Sequence, residues 1–103
     1  MGQWVRVASL EEIPLGQMMA VEVEGEWVAL YNVQGTLYAT QALCTHAEAL
    51  LTEGDLRGEV VECPLHGARF NVRTGAVLAM PAVVPLRTYP VKVEDGQIYI
   101  EWE

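Results

Sequence analysis

The chain holds two cysteines and two histidines, and all four fall in two short motifs, Cys44-Thr45-His46 and Cys63-Pro64-Leu65-His66. Sixteen residues separate the motifs, so no other soft or imidazole donor competes with them. Two thiolates and two neutral imidazoles form a mixed soft and borderline donor set, which suits an iron–sulfur cluster or zinc. A tetrahedral Cys₂His₂ zinc site would use the same four residues. The two cysteines could instead form one disulfide, but a histidine two or three residues after each favours a metal site in a reducing compartment.

These residues need a scaffold that brings two distant loops together. Short segments rich in β-branched and aromatic residues read as strands: Trp4–Ala8, Met18–Glu24, Trp27–Val33, Leu37–Thr40, Glu59–Cys63, Arg69–Val72, Val84–Tyr89, Val91–Glu94 and Gln97–Trp102. Turn signals separate them at Gly25, Gln34-Gly35, Thr74-Gly75 and Asp95-Gly96, while Pro14, Pro81, Pro85 and Pro90 mark edges or breaks. An all-β sandwich or barrel follows. Ser9-Leu10-Glu11-Glu12 has the spacing of a capping box, which predicts one helical turn before Pro14. The stretch Ala42–Gly58 is the longest without strand patterning, and it contains the first ligand pair. Glu22, Glu24 and Glu26 alternate with Val21 and Val23, as on a strand with one solvated face. The tryptophans and tyrosines of the strands are expected in the core.

At 103 residues the chain fits one domain. With 51% hydrophobic and 19% charged residues it has ordinary globular usage, which excludes a disordered or low-complexity protein. No apolar run approaches the roughly 20 residues of a membrane helix, and the N-terminus lacks the pattern of a signal peptide. A cytoplasmic protein with no membrane partner is the expectation. Fourteen acidic against six basic residues give a net charge of −8, which repels nucleic acid and attracts basic protein surfaces. Glu48, Glu53, Asp55, Glu59 and Glu62 surround the two motifs as an acidic collar, yet Arg57, Arg69 and Arg73 stand in the same region and could pair with them.

In the iron–sulfur reading, two ferric ions, two sulfides and two thiolates sum to zero charge. Placing both cysteines on one iron and both histidines on the other localises an added electron on the histidine iron and raises the potential relative to a four-cysteine cluster. Here the chain resembles the Rieske-type [2Fe–2S] proteins, specifically the small ferredoxins of bacterial aromatic-ring dioxygenase systems. The likeness runs from Leu30-Tyr31-Asn32-Val33 through Gln41 to His46, Leu51-Thr52-Glu53-Gly54, Val60 to Gly67 and Phe70 to Gly75, and on to Pro81-Ala82 and Pro85-Leu86. It implies one Rieske domain over residues 1–103: an antiparallel β-sandwich with a small cluster-binding subdomain, the loops 42–58 and 63–69 being inserted in it. It also implies one [2Fe–2S] cluster, with Cys44 and Cys63 on the buried iron and His46 and His66 on the outer one. Pro64 fixes φ within the second loop, Gly67 follows a ligand and can adopt φ > 0, and Met80-Pro81-Ala82 matches a loop that packs over the cluster.

Departures from the high-potential branch of this family sharpen the expectation. Its loop-bridging cysteines would align with Ala49 and Leu65, and its hydroxyl donors to sulfur with Ala68 and Phe70. With no bridging disulfide, no such hydroxyls and a net −8 field, the potential should fall toward the low end of roughly −150 to +300 mV. The expected role is a one-electron carrier, not itself an enzyme, between an NAD(P)H-dependent flavin reductase and a terminal oxygenase. The alternatives are a small subunit of a nitrite-reductase-type assembly and a structural zinc module.

Overall fold

The computed structural model describes residues 2–45, 49–65, 67–80 and 84–102. Strand β1 (Gln3–Ser9) leads into a 3-10 turn at Leu10–Glu12, where the Glu12 carboxylate accepts a 2.8 Å hydrogen bond from the Ser9 N–H as the capping-box spacing predicts. Strands β2 (Met18–Val23), β3 (Glu26–Val33) and β4 (Thr36–Gln41) then form a meander. Its two-residue turns are Glu24-Gly25 and Gln34-Gly35, and all four residues have positive φ, the requirement of a type I′ turn matched to the sheet's twist. Because Glu24 lies in the turn and Glu26 starts the next strand, the three alternating glutamates do not share one strand face. Glu22 instead stands directly across the ladder from Trp27.

Four strands of at most three residues follow: β5 (Asp55–Arg57), β6 (Val60–Glu62), β7 (Arg69–Asn71) and β8 (Val77–Ala79). The chain then returns through β9 (Thr88–Tyr89), β10 (Val91–Glu94) and β11 (Gln97–Trp102), the last two joined by an Asp95-Gly96 turn of the same positive-φ kind. The strands make three antiparallel sheets, ordered β1-β11-β10, β2-β3-β4-β9 and β5-β6-β7-β8. Strands β5 and β8 were not expected, being too short to show alternation. The strand expected over Val84–Tyr89 shrinks to its last two residues, since Pro85 interrupts the ladder and the Leu86 and Arg87 N–H groups bond to Gly75 and to the Gln41 side chain instead.

Strand β3 explains how the sheets stack. Five of its residues in succession, Val28 to Asn32, are buried, so both of its faces are covered. Val28 and Leu30 join Ile98, Ile100 and Trp102 in a core between the first two sheets. Ala29 and Tyr31 point the other way, into a second core with Val61, Phe70, Val72 and both cysteines. There the Tyr31 hydroxyl and the Thr40 hydroxyl lie 2.8 Å apart, fully buried, a bond worth about 1 kcal/mol net. Trp102 and Tyr31 are core residues as expected, whereas Trp4 and Trp27 are exposed.

Candidate metal centre

The second core carries the site, at the end where two loops emerge from it. Beyond β4 the chain stays zipped: Ala42 N–H donates to Trp27 C=O, Leu43 and Leu50 form a bridge, and Leu51 N–H returns to Ala42 C=O. Within this ribbon the Cys44 N–H donates to the Ala49 C=O at 2.9 Å. The second loop joins β6 to β7, and there the Cys63 N–H donates to the Ala68 C=O at 2.7 Å. The two loops are closed by the same device. Each cysteine sits at the base of a four-residue tip, with its N–H bonded to the carbonyl five residues on, and each is itself buried, while Pro64 and Leu65 of the second tip are exposed.

Two further attachments hold the loops in place. A Cβ on Gly54 would collide with the Glu62 carbonyl oxygen and lie 3.2 Å from Pro64 Cδ, so the backbone after the 3-10 turn Leu51–Glu53 is pressed against the start of the second loop. The Thr45 hydroxyl, from the residue between the first two expected ligands, donates to the Val84 C=O at 2.7 Å and ties the first loop to the segment before β9. Sequence reasoning passed over both Gly54 and Thr45 as site residues; the signals were Thr45's place inside the Cys-x-His motif and Gly54's place in the Leu51–Gly54 stretch of the family likeness. Gly67 has φ of +74°, with only Glu62 Oε2 among the described residues near its Cβ position, at 3.6 Å, so against these residues conformation rather than space calls for glycine. Pro64 is exposed on the second tip. His46, His66 and Pro81, together with Glu48, lie outside the described residues.

The two thiols are free of any disulfide and stand beside one another. Burial pushes the Cys63 thiol up; the Leu65 N–H opposes this, and the neighbouring Cys44 adds to it. As neutral thiols the two cysteines suit the apolar core, and side by side they form a donor pair that a metal would bind as thiolates, displacing their protons. The donor set therefore fits an iron–sulfur group. Around it the acidic collar is partly neutralised, with Arg69 Nε 3.1 Å from Glu62 Oε1 and Arg73 Nε 3.4 Å from Glu59 Oε1. The residues flanking the loops are instead apolar and exposed: Leu43, Leu65, Met80 and Val84.

Residues 3–90 match the family model of the Rieske [2Fe–2S] domain. The chain is a Rieske protein. It is 46% identical to the ferredoxin component of the naphthalene 1,2-dioxygenase system of Pseudomonas aeruginosa, over 96% of this chain and 95% of that one. The structure of a ferredoxin in complex with the reduced oxygenase of carbazole 1,9a-dioxygenase superposes with a TM-score of 0.92 at 40% identity, covering 97% of this Rieske protein and 94% of that chain. A putative NADPH nitrite reductase small subunit superposes with a TM-score of 0.80 at 28% identity, over 95% and 97% of the two chains, and is the weaker match. The Rieske family fixes the cofactor as a [2Fe–2S] cluster rather than zinc.

Proposed function

We propose that this Rieske protein is the ferredoxin of a ring-hydroxylating dioxygenase system, a one-electron carrier that takes electrons from an NAD(P)H-dependent flavin reductase and passes them to a terminal oxygenase. The observation that carries the proposal is the pair of identically closed loops, which set two buried thiols side by side in a chain like known ferredoxin components over nearly its whole length. The whole chain acts as one Rieske domain, with the loops 42–58 and 63–69 inserted in the sandwich.

Cys44 and Cys63 would bind the inner iron and His46 and His66 the outer one, and the cluster supplies a reversible one-electron change. The protein's own part is positioning. The inner core would wall off the sulfur side from water, Pro64 and Gly67 would shape the second loop, and the resemblance gives Pro81 to a loop over the cluster. Ala68 and Phe70, both buried in that core, offer no hydroxyl to a sulfur, which supports a low potential. No described helix is long and apolar enough to cross a membrane, and with its two free thiols the chain suits the reducing cytoplasm.

Purified protein should show the Rieske absorption and EPR signals and be reduced by a flavin reductase. His46→Ala and His66→Ala should each abolish those signals; either variant retaining them would overturn the ligand assignment. A redox titration should place the midpoint near the lower end of the Rieske range, and a value near its upper end would overturn the low-potential reading.

A further inference from the structure

The face of the meander that packs beneath the second core is not covered to its end. Along β3, Ala29 and Tyr31 are buried there, but Trp27, the next residue on that face, is 45% exposed. It borders a groove of about 370 Å³ shared with Glu26, Gln41, Leu43, Arg87 and Tyr89. Leu43, 47% exposed, is the residue before Cys44, so the groove opens directly beside the first ligand loop.

The groove is braced. The Gln41 side-chain carbonyl accepts from the Arg87 N–H at 2.8 Å while its amide donates to the Leu43 C=O at 2.9 Å, so one side chain fixes the two walls relative to each other. The Arg87 guanidinium lies over the Tyr89 ring, 5.2 Å from its centroid. A preformed groove loses little freedom when it is filled, and an exposed tryptophan is among the side chains that most often anchor an interface. Arg87 is the basic residue lining the groove, but the charge around it is mainly acidic. Glu59 and Glu62 near the cluster loops are matched by arginines, but Glu22, Glu24 and Glu26 on the hairpin beside the groove make no ion pair among the described residues.

The geometry points to this groove as a second contact for the terminal oxygenase, beyond the cluster tip. It takes an apolar side chain of the oxygenase against Trp27 and Leu43, while a basic rim on that partner meets Glu22, Glu24 and Glu26. This inference rests on the electron-carrier reading above. Two features argue for the occupant. The groove reaches Leu43, the residue before the first cysteine of the ligand loops, and the acidic hairpin calls for a basic surface opposite. The oxygenase is the partner class bound to the related ferredoxin. The contact off the tip supplies affinity and orientation without lying between the redox centres.

The test is stopped-flow electron transfer from the reduced, cluster-loaded full chain to a terminal oxygenase from a dioxygenase system, with reduction by the flavin reductase measured in parallel. Trp27→Ala should raise the half-saturating oxygenase concentration by about tenfold, the scale of a lost anchor residue, and leave the limiting rate, the absorption and the EPR spectrum unchanged. Glu22→Lys combined with Glu26→Lys should slow association and flatten its dependence on salt, which keeps the inference testable should Trp27→Ala fold poorly. An unchanged half-saturation in both variants, or an effect on the reductase equal to or larger than that on the oxygenase, would overturn the inference. A wild-type protein that carries its cluster yet transfers no electron to any such oxygenase would overturn the functional reading itself, and the inference with it.

Discussion

The molecule divides into a region built from strands of six to eight residues and a region built from strands of three. In the first, β1, β2, β3, β4 and β11 pair along their lengths and close on a core of Val28, Leu30, Ile98 and Ile100. In the second, β5 to β8 supply only brief ladders, and order depends on close backbone approaches, loop-closing hydrogen bonds and the packing of Phe70, Val61 and Leu51 around two thiols. The long-stranded region pairs along its whole length, while the short-stranded one packs around Cys44 and Cys63, the proposed ligands of the inner iron. The part proposed to hold the metal is the part with the shortest ladders, and binding free energy from the metal would be folding free energy there.

The sharpest way to break this contrast is to remove a ligand. Cys63→Ser should abolish the cluster, and hydrogen exchange should then show β5 to β8 unprotected while β1, β3 and β11 keep their protection. Equal loss in both regions would show that they fold as one unit. Next in size is a pair of truncations. Phe70→Ala should cost about 3–5 kcal/mol and weaken cluster retention, whereas Ile100→Ala should cost about 2–5 kcal/mol in denaturant unfolding with the EPR spectrum unaltered. Gly54→Ala should cost about 1–3 kcal/mol, because the new methyl must displace the Glu62 carbonyl, and it should speed iron loss to a chelator.

The smallest effect concerns Tyr31, which stands where the regions meet. Burial holds its hydroxyl well above the usual phenol range, only partly offset by the Thr40 hydrogen bond. A pKa raised in the folded state gives stability that is complete below the unfolded value of about 10 and declines as pH rises through and above it. Tyr31→Phe should therefore cost about 1 kcal/mol near neutrality from the lost hydrogen bond and show a shallower alkaline decline. An identical alkaline profile in the variant would assign that decline to other groups.

The long-stranded region was legible in the sequence because alternation and X-Gly turns are local signals; Gln34-Gly35 and Asp95-Gly96 announce their hairpins outright. The two cysteines that the structure brings together were legible because every cysteine and histidine lies in two motifs. The attachments were hidden. Gly54 matters through the carbonyl of a residue eight positions on, and Thr45 through a carbonyl 39 positions on, and neither contact leaves a periodic trace. The two arginine pairs decided what charge counting left open, turning part of an acidic collar into a neutral flank. Trp27 was misplaced in the core because strand propensity carries no information on where the covering layer ends.

The matched closure of the loops at Cys44–Ala49 and Cys63–Ala68 also governs how this site can vary. Each tip is sealed beneath by its own hydrogen bond, so substitutions within it are shielded from the strands that carry it. An insertion or deletion, by contrast, would unseat the cysteine. Composition is free to drift while length is locked. The histidines fall second in one tip and third in the other, so the near-repeat that relates the cysteines does not extend to them. Under the proposed ligand assignment, exchanging one tip for the other would preserve the sulfur end of the centre and misplace a nitrogen.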